Sequence, residues 1–224
     1  MDLLQAAKER HSVRQYLDKT IEADKANKLK SFIDECNRER ELHFQLILNE
    51  PKAFDGFMAH DGTLSGVENY IALVAKKGKT TDVKIGYFGA KIVLFAQTLG
   101  LNTCWVALTY KKVKTAFAIE KGEKLYSLIA LGYGKTQGVQ HKSKSAAEVC
   151  TSKSNETPEW FKNGVSAALL APTAMNQQKF YFTLNEDDSV SATTKSGFYT
   201  KMDLGIVKYF FELGADDKNV IWKI

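Results

Sequence analysis

The chain has 224 residues, 44% of them hydrophobic and 25% charged, with a formal net charge of +5. That length can bury a full core, and the composition is that of a folded chain rather than a disordered one. The longest apolar runs, 71–75 and 92–96, are too short to cross a bilayer, and the start of the chain has no secretory pattern, so the expectation is a cytoplasmic protein.

Residues 2–9 read as a short helix with Leu3, Leu4 and Ala7 on one face. Residues 11–17 read as extended. Alternate residues of an extended chain share a side, so Arg10, Ser12 and Arg14 point one way and Val13 the other. Two guanidiniums and a hydroxyl on one side can clamp an anion, because arginine presents a rigid fork of donors. On spacing alone the favoured reading is that they are surface charges after a helix. Thr20 is the expected cap of a helix through the late thirties, with Ala26, Leu29, Phe32, Ile33 and Cys36 on its apolar face. A charged turn over 37–41 leads to a strand in which Leu42, Phe44, Leu46 and Leu48 alternate against His43, Gln45 and Ile47.

Residues 49–66 are loop-like, and 67–75 is a second strand. The strongest helical pattern starts at Thr80, Thr81 or Asp82 and stops at Gly100. Ile85, Phe88, Ile92, Phe95 and Leu99 form its apolar stripe. Gly86, Gly89 and Ala90 form a small-residue face that another backbone could approach, so this helix is expected to be central and buried. A strand over 103–108, a short helix over 111–119 and a buried strand over 126–133 follow, and the polar residues 135–155 read as a crossover with little order. Thr157-Pro158-Glu159 is a helix start: a capping hydroxyl, a proline in the first turn and an acid at the positive end. That helix ends before Pro172. Phe180, Phe182 and Leu184 alternate as a strand, 185–189 is a turn, 190–194 a return strand, and 202–213 a last helix stopped by Gly214.

The three cysteines (Cys36, Cys104, Cys150) and four histidines are scattered without CxxC or HExxH spacing, so no protein-held metal is expected. Lysines alternate with acids as on a solvated surface. The exceptions, Arg10/Arg14 and Lys142/Lys144, suit a small phosphate better than a nucleic acid. A weak repeat relates the helix and strand of 22–48 to those of 158–184, with Phe44, Leu46 and Leu48 against Phe180, Phe182 and Leu184. One copy has a charged turn where the other has Ala171-Pro172-Thr173-Ala174.

Five segments together resemble the flavin-dependent nitroreductase family. Arg10-His11-Ser12-Val13-Arg14-Gln15-Tyr16 is similar to its phosphate-binding signature, and Ala171-Pro172-Thr173-Ala174-Met175-Asn176-Gln177-Gln178 to its flavin-ring loop. Residues 99–106, Ala130-Leu131-Gly132-Tyr133-Gly134 and His141-Lys142-Ser143-Lys144-Ser145 resemble its segment after the central helix, a strand end and a basic pair. The order departs from the family pattern, in which the proline loop stands in the first half, where this chain has its charged turn.

The resemblance implies an α+β nitroreductase-like fold: a central, mainly antiparallel sheet flanked by helices. It also implies a single-chain pseudo-dimer, one domain over 1–224 with pseudo-symmetric halves of roughly 1–140 and 156–224, acting as a monomer with one flavin. It implies FMN phosphate held by Arg10, Ser12, Arg14, Lys142 and Lys144. Pro172, Thr173, Ala174 and Asn176 would lie against the ring, and Ala107 or Leu108 would present a backbone N–H near flavin N5. Gln178 either orients the loop or touches flavin. No protein acid or base is expected to be catalytic, since the flavin carries the chemistry. The implied reaction is ping-pong hydride transfer from NAD(P)H to small nitroaromatic or quinone acceptors. The alternatives left open are a related dehalogenating or flavin-degrading enzyme, a flavin-binding or flavin-sensing protein without turnover, and a basic scaffold for nucleic acid.

Overall fold

The computed structural model describes residues 1–55, 64–154, 156–216 and 218–223. In chain order the regular elements are α1 (Leu3–Glu9), α2 (Ala23–Arg40), β1 (His43–Ile47), β2 (Asn69–Lys76), α3 (Thr81–Thr98), β3 (Asn102–Val106), β4 (Glu123–Gly132), α4 (Ala146–Val149), β5 (Cys150–Ser152), α5 (Glu159–Ala168), β6 (Phe180–Leu184), β7 (Val190–Thr194), α6 (Thr200–Gly214) and β8 (Trp222–Lys223). The chain divides into two units. One holds 1–9, 82–91 and 141–224, the other 10–81 and 92–140.

The unit of residues 10–81 and 92–140 is built on an antiparallel sheet in the order β1-β2-β4-β3. β2 is buried on both faces through Ala75, which explains its unbroken apolar sequence. On one face Ile47, Tyr70, Ala72, Val74, Leu128, Ala130, Cys104 and Val106 join Val13, Tyr16, Phe54 and Phe117 in one cluster. α2 packs on β1, and its Phe32 stacks on Phe95 with ring centroids 4.2 Å apart. Ile47 is therefore buried and Leu48 is exposed, against the alternation expected for β1. Both faces of β1 find apolar cover, so period-two reasoning fails there.

Several boundaries also differ. α2 starts after Glu22 without a side-chain cap from Thr20, and it absorbs most of the charged turn before Glu41 turns left-handed. β3 ends at Val106, short of Leu108, and 111–119 forms no helix. Residues 56–63 of the expected loop lie outside the described residues.

The other unit carries a mixed sheet in the order β5-β6-β7-β8, with β5–β6 and β7–β8 parallel and β6–β7 antiparallel. β6 keeps the expected alternation, with Phe180, Phe182 and Leu184 buried. Phe182 meets Phe211 of α6 at 4.7 Å, and Phe161 of α5 meets it at 5.5 Å. The small-residue face of α3 meets α6 here. A Cβ on Gly86 would stand 1.9 Å from the Met202 carbonyl, and one on Gly205 2.0 Å from the Val83 carbonyl. Two helix backbones in mutual contact leave no room for a side chain on either. Gly214 is likewise not a stop but the last residue of α6, where a Cβ would meet Asn163 at 2.4 Å. The crossover is more ordered than expected: Ser145 and Glu148 form a capping box that opens α4, and β5 follows. α5 begins after Pro158 with no side-chain cap from Thr157.

Candidate functional site

Residues 12–16 are extended as the sequence predicts. Ser12 bridges to Thr103, Gln15 to Ser65 and Tyr16 to Gly134, and the Val13 N–H donates to the Thr103 carbonyl at 3.1 Å. Val13 and Tyr16 anchor the segment in the core. Arg10, Ser12 and Arg14 all bear on one group: both guanidiniums act electrostatically on the Cys104 thiol and Ser12 hydrogen-bonds it. Burial nevertheless dominates and pushes that thiol up.

The three side chains are not equivalent. Arg14 is exposed and Ser12 half-buried, whereas Arg10 is only 2% exposed. Burial lowers the Arg10 guanidinium to about 10, partly opposed by Cys104. Its Nε and Nη1 are buried and have no hydrogen-bond partner among the described residues, and neither has the Thr103 hydroxyl. A buried cation without an acceptor is costly, and such donors ordinarily have partners. This donor set fits an anion of several oxygens, which could satisfy the guanidinium and the hydroxyls together. Ala107 and Leu108 follow β3 in an irregular segment, with Leu108 66% exposed. Trp105 is half-buried, with its indole nitrogen buried and unpartnered among the described residues.

The proline loop is built differently. After α5 the chain enters a short 3-10 turn, Ala174–Asn176. Met175, Asn176 and Gln178 all take left-handed backbone, with φ of 51°, 51° and 44°. Left-handed non-glycine residues in a cluster are strained and persist only when surroundings impose them. Here the surroundings do so from two sides. Gln178, 3% exposed, donates through Nε2 to the Lys142 carbonyl at 2.9 Å and accepts from the Lys144 N–H at 2.9 Å. Its own N–H donates to Thr173 Oγ1 at 3.1 Å. The Lys144 ammonium donates to the Gln178 carbonyl at 2.8 Å, and Asn176 Nδ2 donates to the Lys142 carbonyl at 2.9 Å. His141 Nε2 and Ser143 Oγ both contact the Leu169 carbonyl, at 3.0 and 3.2 Å. The basic segment thus straps the loop, and Gln178 orients it.

The second side was missed from sequence. Asp203, in the first turn of α6 and 5% exposed, accepts from the Ala174 N–H at 3.0 Å and from Gln177 Nε2 at 3.1 Å. Burial pushes its carboxyl up to about 6, against those two hydrogen bonds. An acid in a first turn ordinarily reads as complementing the helix dipole. The signal that could have found it is spacing: Asp203, Ile206, Val207 and Phe210 share one face, so this acid sits on the apolar stripe.

Of the residues predicted for the site, the structure ties Asn176 directly to Lys142, and Lys144 to the loop through Gln178, which also holds Thr173, while Arg10, Ser12 and Arg14 converge on Cys104. A family model described as "Putative TM nitroreductase" matches residues 2–215. Among solved structures, a "putative nitroreductase" from Thermotoga maritima is 21% identical with a TM-score of 0.67, over 96% of this chain and 83% of that one. A "putative nitroreductase in complex with fmn" from Desulfovibrio desulfuricans is 18% identical with a TM-score of 0.53, over 70% and 98%. A "Putative NADH dehydrogenase/NAD(P)H nitroreductase" from Bacteroides thetaiotaomicron is 19% identical with a TM-score of 0.53, over 66% and 95%. No curated protein matches the chain. At these identities the structural likenesses speak for the fold, and the family model over nearly the whole length speaks for descent. The chain belongs to the nitroreductase family.

Proposed function

We propose that the protein is an FMN-dependent oxidoreductase using NAD(P)H and a small nitroaromatic or quinone acceptor. The observation that carries this reading is the buried Arg10 guanidinium, whose Nε and Nη1 have no hydrogen-bond partner among the described residues, at the start of a segment that resembles the family's phosphate signature. Bound FMN would supply hydride acceptance and donation at N5, so that donor and acceptor are used in alternation.

The chain's own residues bind and orient. Arg10, Ser12 and Arg14 take the phosphate, and Lys142 and Lys144 add positive charge. In Lys144 that role is shared with the strap, since its ammonium already donates to Gln178. Pro172, Thr173, Ala174 and Asn176 would offer a small, rigid surface to the flavin ring, and Ala107 or Leu108 would supply a backbone N–H to it. No acid or base of the chain is required, so substrate choice rests on shape and orientation. The retention of the arginine signature in one copy of the repeat and the proline loop in the other supports a fused pseudo-dimer. We read it as monomeric, with one flavin per chain.

The test is FMN titration, desalting and the flavin-to-chain ratio, followed by oxidation of NADH and NADPH with a nitroaromatic and a quinone. A ratio near one with acceptor-dependent oxidation is expected. Absence of FMN binding would sink the proposal, and tight binding without turnover would favour a flavin-sensing role.

A further inference from the structure

We propose that Asp203 is a positioning residue for the flavin-facing loop, kept at the expense of folded stability. This rests on the reading that residues 172–176 face a flavin, but its geometry is independent of any ligand. The Ala174 N–H, at the start of the 3-10 turn, and the Gln177 amide converge on the two carboxylate oxygens at 3.0 and 3.1 Å. Gln177 Nε2 also donates to the Phe198 carbonyl at 2.6 Å, which ties the loop to the residues just before α6. Gln178, next in sequence, ties the opposite flank to Lys142 and Lys144. Between these ties the chain passes through three left-handed non-glycine residues and holds Met175 77% exposed.

A merely structural acid would be expected to pair with a cation or reach water. Asp203 receives hydrogen bonds from neutral donors of the loop and is 5% exposed. Burial of a carboxylate so placed disfavours its charged form, and the upward displacement of its titration is consistent with that cost. An asparagine would avoid the cost. It can still accept from the Ala174 N–H, but its amide nitrogen cannot accept from Gln177. The carboxylate therefore serves the loop rather than the fold, a division seen where stability is exchanged for function.

The test uses Asp203→Asn and the wild-type chain without flavin, then with FMN. At pH 7 the variant is expected to melt at the same temperature or a few degrees higher. Amide exchange in peptides covering 172–178 should rise about tenfold, with β2 and β4 unchanged. A lower melting temperature with exchange raised throughout would make Asp203 an ordinary structural group and overturn the proposal, as would unchanged exchange in the loop. With FMN, the variant should bind at least tenfold more weakly, and Gln177→Leu should weaken binding in the same direction. Wild-type affinity in Asp203→Asn would overturn the positioning role while leaving the flavin reading intact. Failure of the wild-type chain to bind FMN would overturn the flavin reading and leave the exchange result to decide the anchor.

Discussion

The arginine segment and the proline loop solve opposite problems. Residues 12–16 are held by backbone pairing to Thr103, Ser65 and Gly134, while the neighbouring Arg10 is buried with two donors unpartnered among the described residues. In residues 172–178 the backbone is strained, yet Gln177, Gln178, Asn176 and Ala174 are all tied by hydrogen bonds. On the proposed reading, the first region is a set of donors that a phosphate would complete. The second is a surface fixed in advance. Preorganisation lowers the ordering cost of binding, whereas an unpartnered buried charge stores a desolvation cost that an anion can relieve.

The comparison can be broken most severely through the support of the loop. Gly205→Val places branched carbon on α6 where even a Cβ would stand 2.0 Å from the Val83 carbonyl of α3, two residues from Asp203. A loss of about 4 kcal/mol or more is expected, measured by urea unfolding. If the variant were as stable as the wild type, the backbone contact between α3 and α6 would not be what rigidifies the loop's base. Next in size is Arg10→Met. Removing a charge-assisted phosphate contact should weaken FMN binding by about 100-fold, the equivalent of about 2.7 kcal/mol. The flavin-free variant should be at least as stable as the wild type, because a buried cation with two donors unpartnered among the described residues has been replaced by a thioether stem. A flavin-free variant that melts well below the wild type would mean that the guanidinium serves the fold, and the contrast between the two regions would fail.

The smallest effect sharpens the contrast through pH. The Asp203 carboxyl titrates at about 6 in the folded protein against an ordinary 3.8. The folded state therefore binds this proton more tightly than the unfolded state. Below about pH 4 both are protonated and ionisation costs nothing; stability from this group is lost as pH rises toward and through 6. The melting difference between Asp203→Asn and wild type should therefore be greatest at pH 7 and shrink as pH falls to about 4.5. A difference that stays constant with pH would show that the carboxyl is not held dry.

Much of this was legible in the sequence. The alternation of Phe180, Phe182 and Leu184 and the helical stripe from Ile85 to Leu99 are local periodicities, and each corresponds to an element of the expected type, whereas residues 11–17 make isolated bridges at Ser12, Gln15 and Tyr16 rather than a strand. The small face of α3 was readable because glycine at helical spacing has few other uses, and Gly86 meets the α6 backbone. The expected helix over 111–119 and the alternation of β1 failed where tertiary surroundings override local preference.

Within the site the division is sharper. By itself the sequence determined which residue types stand where: a guanidinium–hydroxyl–guanidinium alternation, a proline loop and a basic strap, since these depend on neighbours along the chain. Only the tertiary structure decided that Arg10 is buried, with Nε and Nη1 unpartnered among the described residues, while Arg14 is exposed. It also decided that Lys144 and Gln178 hold each other and that Asp203 reaches back across 29 residues to the Ala174 N–H. Burial and long-range hydrogen bonds depend on which surfaces meet, and desolvation converts an ordinary acid or arginine into a strongly perturbed one.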